Sequence, residues 1–76
     1  MKAYIMIKVR TGEIKDVVSH LRKIPSVKEA HMTFGPYDAV AEVETLDVAA
    51  LGKVTALEIQ PIPGVEQTLT CLAVDV

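Results

Sequence analysis

The sequence predicts an α+β domain with four antiparallel strands and two helices in the order βαββαβ. Three observations predict it. Residues 2–9 alternate apolar and more polar side chains one by one, the period of a strand. Two apolar stripes at helical spacing follow, at residues 14–24 and 50–57. Turn-forming residues separate the periodic stretches, at Thr11-Gly12, Pro25, Gly35-Pro36 and Pro61–Gly64.

The elements follow in order. From Lys2 to Val9, one strand face carries Ala3, Ile5, Ile7 and Val9, and the other Lys2, Tyr4, Met6 and Lys8. Thr11-Gly12 breaks the strand, and Thr11 suits an N-cap because its hydroxyl can accept from a free helix N–H. Ile14, Val17, Val18, Leu21 and Ile24 form the first helical stripe, with acidic residues leading and basic residues trailing as the helix dipole prefers. Pro25 is expected to end this helix, since the residue before a proline is pushed out of the helical region. Val27 to Phe34 reads as a second strand with Ala30, Met32 and Phe34 on one side. Gly35-Pro36-Tyr37-Asp38 is a turn, and Asp38 to Glu44 a third strand with Ala39, Ala41 and Val43 on its apolar face. So short a connection implies an antiparallel hairpin. Asp47 can cap a second helix running to about Ile59, with Ala50, Leu51, Val54 and Leu57 inward. Gly52 is expected to allow close packing on the sheet. Val65 to Val76 is the last strand, with Val65, Leu69, Cys71 and Ala73 on one face and Thr68, Thr70, Leu72 and Val74 on the other.

This order is the split βαβ plan of ferredoxin-like domains, which puts both helices on one face of the sheet. The other face is bare, and its predicted residues include Tyr4, Met6, Val40, Leu72 and Val74. An uncovered face this apolar should meet a partner. The expected partner is the same face of a second copy, the sheets stacked face to face.

Composition supports association. The 76 residues form a single small domain, residues 1–76. A chain of this length buries only about 60–65% of its unfolded surface, and such domains usually need a staple. The one cysteine, Cys71, cannot form an internal disulfide, and no Cys/His spacing resembles a metal site. Half the residues are hydrophobic. The net charge is −2, without a basic run or an aromatic-rich strand, which disfavours direct nucleic-acid binding. No apolar run approaches the roughly 20 residues needed to span a bilayer. The strand pattern begins at Lys2 and leaves no room for a signal peptide, so a cytoplasmic protein is expected.

Two stretches stand out. Thr33-Phe34-Gly35-Pro36-Tyr37-Asp38 joins strands two and three, and Pro63-Gly64-Val65-Glu66-Gln67-Thr68-Leu69-Thr70 enters the last strand. The Gly-x-x-Asp hairpin and the Pro-Gly-Val-x-x-Thr-x-Thr entry, in a βαββαβ chain of this length, resemble the effector-binding domain of Lrp/AsnC regulators, also called the RAM domain. The likeness covers nearly the whole chain. Such regulators carry an N-terminal helix-turn-helix domain; this sequence resembles the stand-alone form without it. The resemblance implies dimers assembling into octamers or decamers, amino-acid binding between dimers near the hairpin, no cofactor, and a DNA-binding regulator of the same family as partner. One departure is clear. Many family members have a small polar residue, often Thr, directly before the turn glycine; here it is Phe34, with Thr33 displaced to the opposite face.

The candidate ligand-binding residues are Gly35, Tyr37, Asp38, Thr68 and Thr70. Gly35 can let a ligand approach the backbone; its plain role is turn geometry. Asp38 can accept from an α-ammonium group or cap the turn. Tyr37 can wall a pocket or pack at a subunit contact. The Thr68 and Thr70 hydroxyls can bind a carboxylate, though Thr is also an ordinary strand former. Cys71 reads as a buried inert thiol, His20 as solvent-facing, and His31 as a surface histidine on one strand face with Glu29 and Thr33.

Other functions fit less well. An acylphosphatase-like enzyme needs an Arg on a phosphate loop and an Asn; the chain has no Asn, and Arg10 stands alone. A metal carrier would want a Cys-x-x-Cys loop. An ACT-like amino-acid-binding domain is the nearest rival, distinguished by sheets aligned edge to edge rather than stacked.

Overall fold

In the computed structural model, which describes residues 1–75, the elements are β1 (Lys2–Val9), α1 (Ile14–Leu21), β2 (Val27–Met32), β3 (Ala39–Glu44), α2 (Val48–Lys53, prolonged by a π-helical segment Val54–Ile59) and β4 (Val65–Leu72). The strands form one antiparallel sheet in the order β2-β3-β1-β4. Both helices pack on one face, as the ferredoxin-like plan requires.

The core lies between helices and sheet. Ala3, Ile5 and Ile7 of β1 are fully buried and oppose Val43, Ala41 and Ala39 of β3, also fully buried. Isoleucine thus faces alanine across two of these pairs, which leaves volume for the helices above. α1 contributes Val17, Val18 and Leu21; α2 and its π-helical segment contribute Leu51, Val54 and Ile59.

The start of α1 differs from expectation. Thr11 and Gly12 lie in a turn, with Gly12 at φ +90°, and the Glu13 N–H bonds the Arg10 carbonyl. Glu13 takes the N-cap position with no side-chain cap bond. The helix also closes before Pro25. After Leu21 the chain tightens into i→i−3 bonds, Lys23 to His20 and Ile24 to Leu21, and Ile24 still reaches the core. Asp47 caps α2 as predicted, its Oδ1 accepting from the Ala50 N–H at 2.8 Å.

Three larger departures have local causes. In α2, the Gln60 N–H bonds the Thr55 carbonyl at 2.9 Å, five residues back. The wider turn rotates the apolar stripe, so Ile59 is fully buried and Leu57 is 71% exposed. Gly52 does not serve close packing, because a Cβ there would meet nothing within 4 Å. In β2, a bulge skips Lys28, so Val27 and Ala30 both face the core. The strand stops at Met32. Met32 and Phe34 do not join Ala30 in the core: Met32 is on its side of the sheet but past the cover of α1, and Phe34 lies beyond the strand, fully exposed.

The third departure is in β4. Lys8 pairs with Gln67 and Val9 with Val65, so Glu66 is bulged out. Strand alternation therefore restarts after Val65. Val65 packs on the core while Leu69 and Cys71 turn to the open face; Thr68, Thr70 and Leu72, opposite Ile7, Ile5 and Ala3, turn to the helices. Leu72 is thus not an open-face residue, and Cys71 is exposed rather than buried. The strand ends at Leu72, with Val74 exposed outside it; Val76, expected to end the strand, lies outside the described residues.

Candidate functional site

The β2–β3 hairpin is held from both sides. The Thr33 N–H donates to the Asp38 carbonyl at 3.0 Å, and the Thr33 hydroxyl to the Tyr37 carbonyl at 2.9 Å. From β1, Lys8 Nζ donates to the Pro36 carbonyl at 2.8 Å, and the Asp38 N–H reaches the Ile7 carbonyl at 2.9 Å. Asp38 Oδ2 accepts the Val9 N–H at 2.8 Å in a part-buried setting. The displaced Thr33 hydroxyl therefore stitches the loop. Gly35 sits at φ +139°, a conformation that disfavours any side chain, and the space where its Cβ would stand is open. Tyr37 is half-buried beside it.

Asp38 thus has a structural role that its position in the turn did not reveal: it closes the end of β1, 29 residues away. Asp38→Ala leaves the Val9 N–H without its partner. The expected cost is about 1–3 kcal/mol, read as a lowered urea midpoint.

Thr68 and Thr70 sit elsewhere. Thr68 opposes Ile7, which also opposes Ala39, so Thr68 is level with the hairpin but separated from it by β1. Its hydroxyl accepts from Gln60 Nε2 at 3.2 Å, tying β4 to the end of α2. Thr70 lines a shallow cavity of about 270 Å³ with Val48, Leu51, Gly52, Thr55 and Leu72. The structure places Gly35, Tyr37 and Asp38 together in the hairpin and Thr68 and Thr70 together on the helix side of β4. A single chain does not join the two groups into one pocket. Gln60 and Lys8, each bonded to a candidate segment, had no sequence signal, since Lys8 is 28 residues from Pro36 and Gln60 eight from Thr68.

The open sheet face is the second feature. Met6 stands between Val40 and Leu69, and Tyr4 between Glu42 and Cys71. On the β2 side the face turns polar. Glu29 opposes Glu42, and His31 Nε2 lies 3.1 Å from Glu29 Oε1, the surface pairing expected for this histidine. The total accessible surface is 4944 Å². A monomer of this mass is expected to show about 4,500 Å², within about a tenth of this value.

Arg10 offers little to a phosphate. It is ion-paired with Glu13, whose hydrogen bond and charge both raise the guanidinium pKa. No helix among the described residues is long and apolar enough to cross a membrane.

A sequence model of the Lrp/AsnC ligand binding domain matches residues 2–76. The chain belongs to the Lrp/AsnC ligand-binding domain family. This membership decides against the ACT-like alternative. Among its relatives, the HTH-type transcriptional regulator FL11 of Pyrococcus horikoshii is 39% identical over 72 residues, which is 95% of this chain and 47% of FL11. The chain therefore spans about half the length of the curated regulators it matches. A Thermus thermophilus protein, TTHA0845, superposes with a TM-score of 0.93 at 33% identity, covering 99% of this chain and 94% of that one. The Neisseria meningitidis regulator NMB0573, solved as a complex with L-Met, superposes at 0.87 with 17% identity, covering 97% of this chain and 49% of that one. At that identity the likeness is one of fold. This Lrp/AsnC domain keeps the family's sheet and helices, with Phe34 before its turn glycine.

Proposed function

We propose that this Lrp/AsnC domain is a non-catalytic sensor in the cytoplasm that binds an amino acid and couples binding to self-association. Through that assembly it acts with a DNA-binding regulator of the same family. The observation that carries the reading is the rigid hairpin with an open approach over Gly35 and a carboxylate that is only half engaged. Asp38 Oδ2 is taken by Val9, which leaves Oδ1 to accept from an α-ammonium group. The L-Met complex of the similarly folded Neisseria regulator supports the ligand class.

The hairpin residues Gly35, Tyr37 and Asp38 form the ammonium side of the site. Thr68 and Thr70 face the helices of the same chain, so they reach the ligand only where a neighbouring subunit brings its β4 edge to the hairpin. This fits a site completed between subunits. The bare sheet face provides the elementary dimer, two copies stacked on Met6, Leu69, Val40 and Tyr4. A ligand that prefers one assembly over another shifts the population toward it.

Calorimetry against a panel of the standard amino acids tests this. At least one amino acid is expected to bind and to change the solution mass. Asp38→Asn keeps an oxygen for the Val9 N–H but loses the charge, so it should retain stability and lose affinity by about tenfold or more. A panel with no binder and no change in mass refutes the sensor reading.

A further inference from the structure

The most spacious depression described on the surface, about 770 Å³, lies between α1 and the end of β2. Its floor is Val18 and Met32, and Met32 is 59% exposed. Lys15, Arg22 and Lys23 stand around it, with Ser19 the remaining lining residue. Three of the chain's eight basic residues thus ring one apolar groove in a protein of net charge −2. Among the described residues the ion pairs are Arg10–Glu13 and His31–Glu29, so none of the three is neutralised by a carboxylate of its own chain. Arg22 only donates Nε to the Ala30 carbonyl, at 3.0 Å. Clustered like charges repel, and among the described residues no ion pair within the chain offsets this.

The complementary feature is at the end of α2. The π-helical segment turns Leu57 outward to 71% exposure, with Glu58 exposed next to it. π-segments are rare and gather at functional sites. This one presents a large apolar side chain beside a carboxylate, the chemistry the groove lacks.

We propose that the α1–β2 groove receives Leu57 and Glu58 of another copy of this chain. Leu57 seats on Val18 and Met32, and Glu58 lies among Lys15, Arg22 and Lys23. The groove borders edge strand β2, whereas the end of α2 is tied to the opposite edge strand β4 by the Gln60–Thr68 bond. Groove and knob are therefore different surfaces of the chain, the one beside β2 and the other on the helix end tied to β4. The contact is head to tail, and repeated, it builds a ring or a filament rather than a closed pair. It uses none of the open sheet face, so it stands or falls separately from the stacked dimer.

Charge exchange tests it. Light scattering should find the wild-type chain larger than a dimer. The double variant Arg22→Glu/Lys23→Glu meets its own acidic knob and should lose at least half of that mass; Glu58→Lys meets its own basic groove and should do the same. Leu57→Ser, which leaves every charge in place, should also lower the mass. Mixing the Arg22→Glu/Lys23→Glu and Glu58→Lys proteins in equal amounts makes every alternating contact complementary again, and should restore the wild-type mass. The proposal is overturned by a wild type no larger than a dimer, by any of the three variants alone keeping the full mass, or by a mixture that stays small.

Discussion

Ile59→Ala is expected to destabilise the domain by about 2–5 kcal/mol, the range for truncating a buried Ile or Leu, while Leu57→Ala changes stability by no more than about 0.5 kcal/mol. Urea unfolding of dilute protein reads both. The two residues lie two positions apart, and the contrast isolates the π-helical turn. On an unbroken α-helix beginning at Asp47, Leu51, Val54 and Leu57 share one stripe, and Leu57 would be the core residue. In the structure the Gln60-to-Thr55 bond widens the turn and brings Ile59, not Leu57, under the sheet. Ile59 is fully buried and is among the largest such side chains. Equal costs for the two variants, or a larger cost for Leu57→Ala, would show that α2 runs as a regular helix to its end.

That contrast marks where the sequence could be read and where it could not. β1 and β3 were legible because strict alternation has one interpretation once a single face is buried, and Ala3, Ile5, Ile7, Ala39, Ala41 and Val43 all lie where alternation puts them. The Asp47 cap was legible because its chemistry is local. The failures of phase are one-residue insertions. The bulge at Glu66 reverses the phase of β4, the bulge at Lys28 that of β2, and the π-turn that of α2. An inserted residue leaves no mark in a hydropathy pattern, because the residues on either side remain regular. Each is visible only when the partner strand or the preceding turn is present.

The candidate site divides along the same line. The hairpin stood out in the sequence because Gly35 and Asp38 are turn residues at turn spacing. The Asp38–Val9 bond did not, since it joins positions far apart in the chain. The grouping of Lys15, Arg22 and Lys23 around Met32 was partly legible: positions 15 and 22 are two helical turns apart and so share a face. Their apolar floor required knowing that β2 runs past the cover of α1.

Leu69→Glu should weaken face-to-face association by more than about 100-fold, equivalent to about 2.7 kcal/mol, with little change in the folding of an isolated chain. Leu69 is 46% exposed in a single copy and sits on an edge strand, opposite Met6. A carboxylate there remains hydrated in the monomer. In the proposed stacked pair the same residue is buried, and two-fold symmetry buries it twice. Removing a charge from water without a partner costs several kcal/mol; of the charges on this face, Glu42 and Glu29 lie toward β2 and carry the same sign, and the ammonium of Lys8 is already engaged by the Pro36 carbonyl. Sedimentation velocity across a concentration series gives the dissociation constant, and circular dichroism verifies the fold. The phase of β4 adds a control. Leu72, which hydropathy alternation assigned to this face, lies on the helix side, so Leu72→Glu should leave the stacked pair intact. Dispersal by Leu72→Glu with no effect of Leu69→Glu would place the subunit contact on the wrong side of the sheet and remove the stacked dimer from the reading.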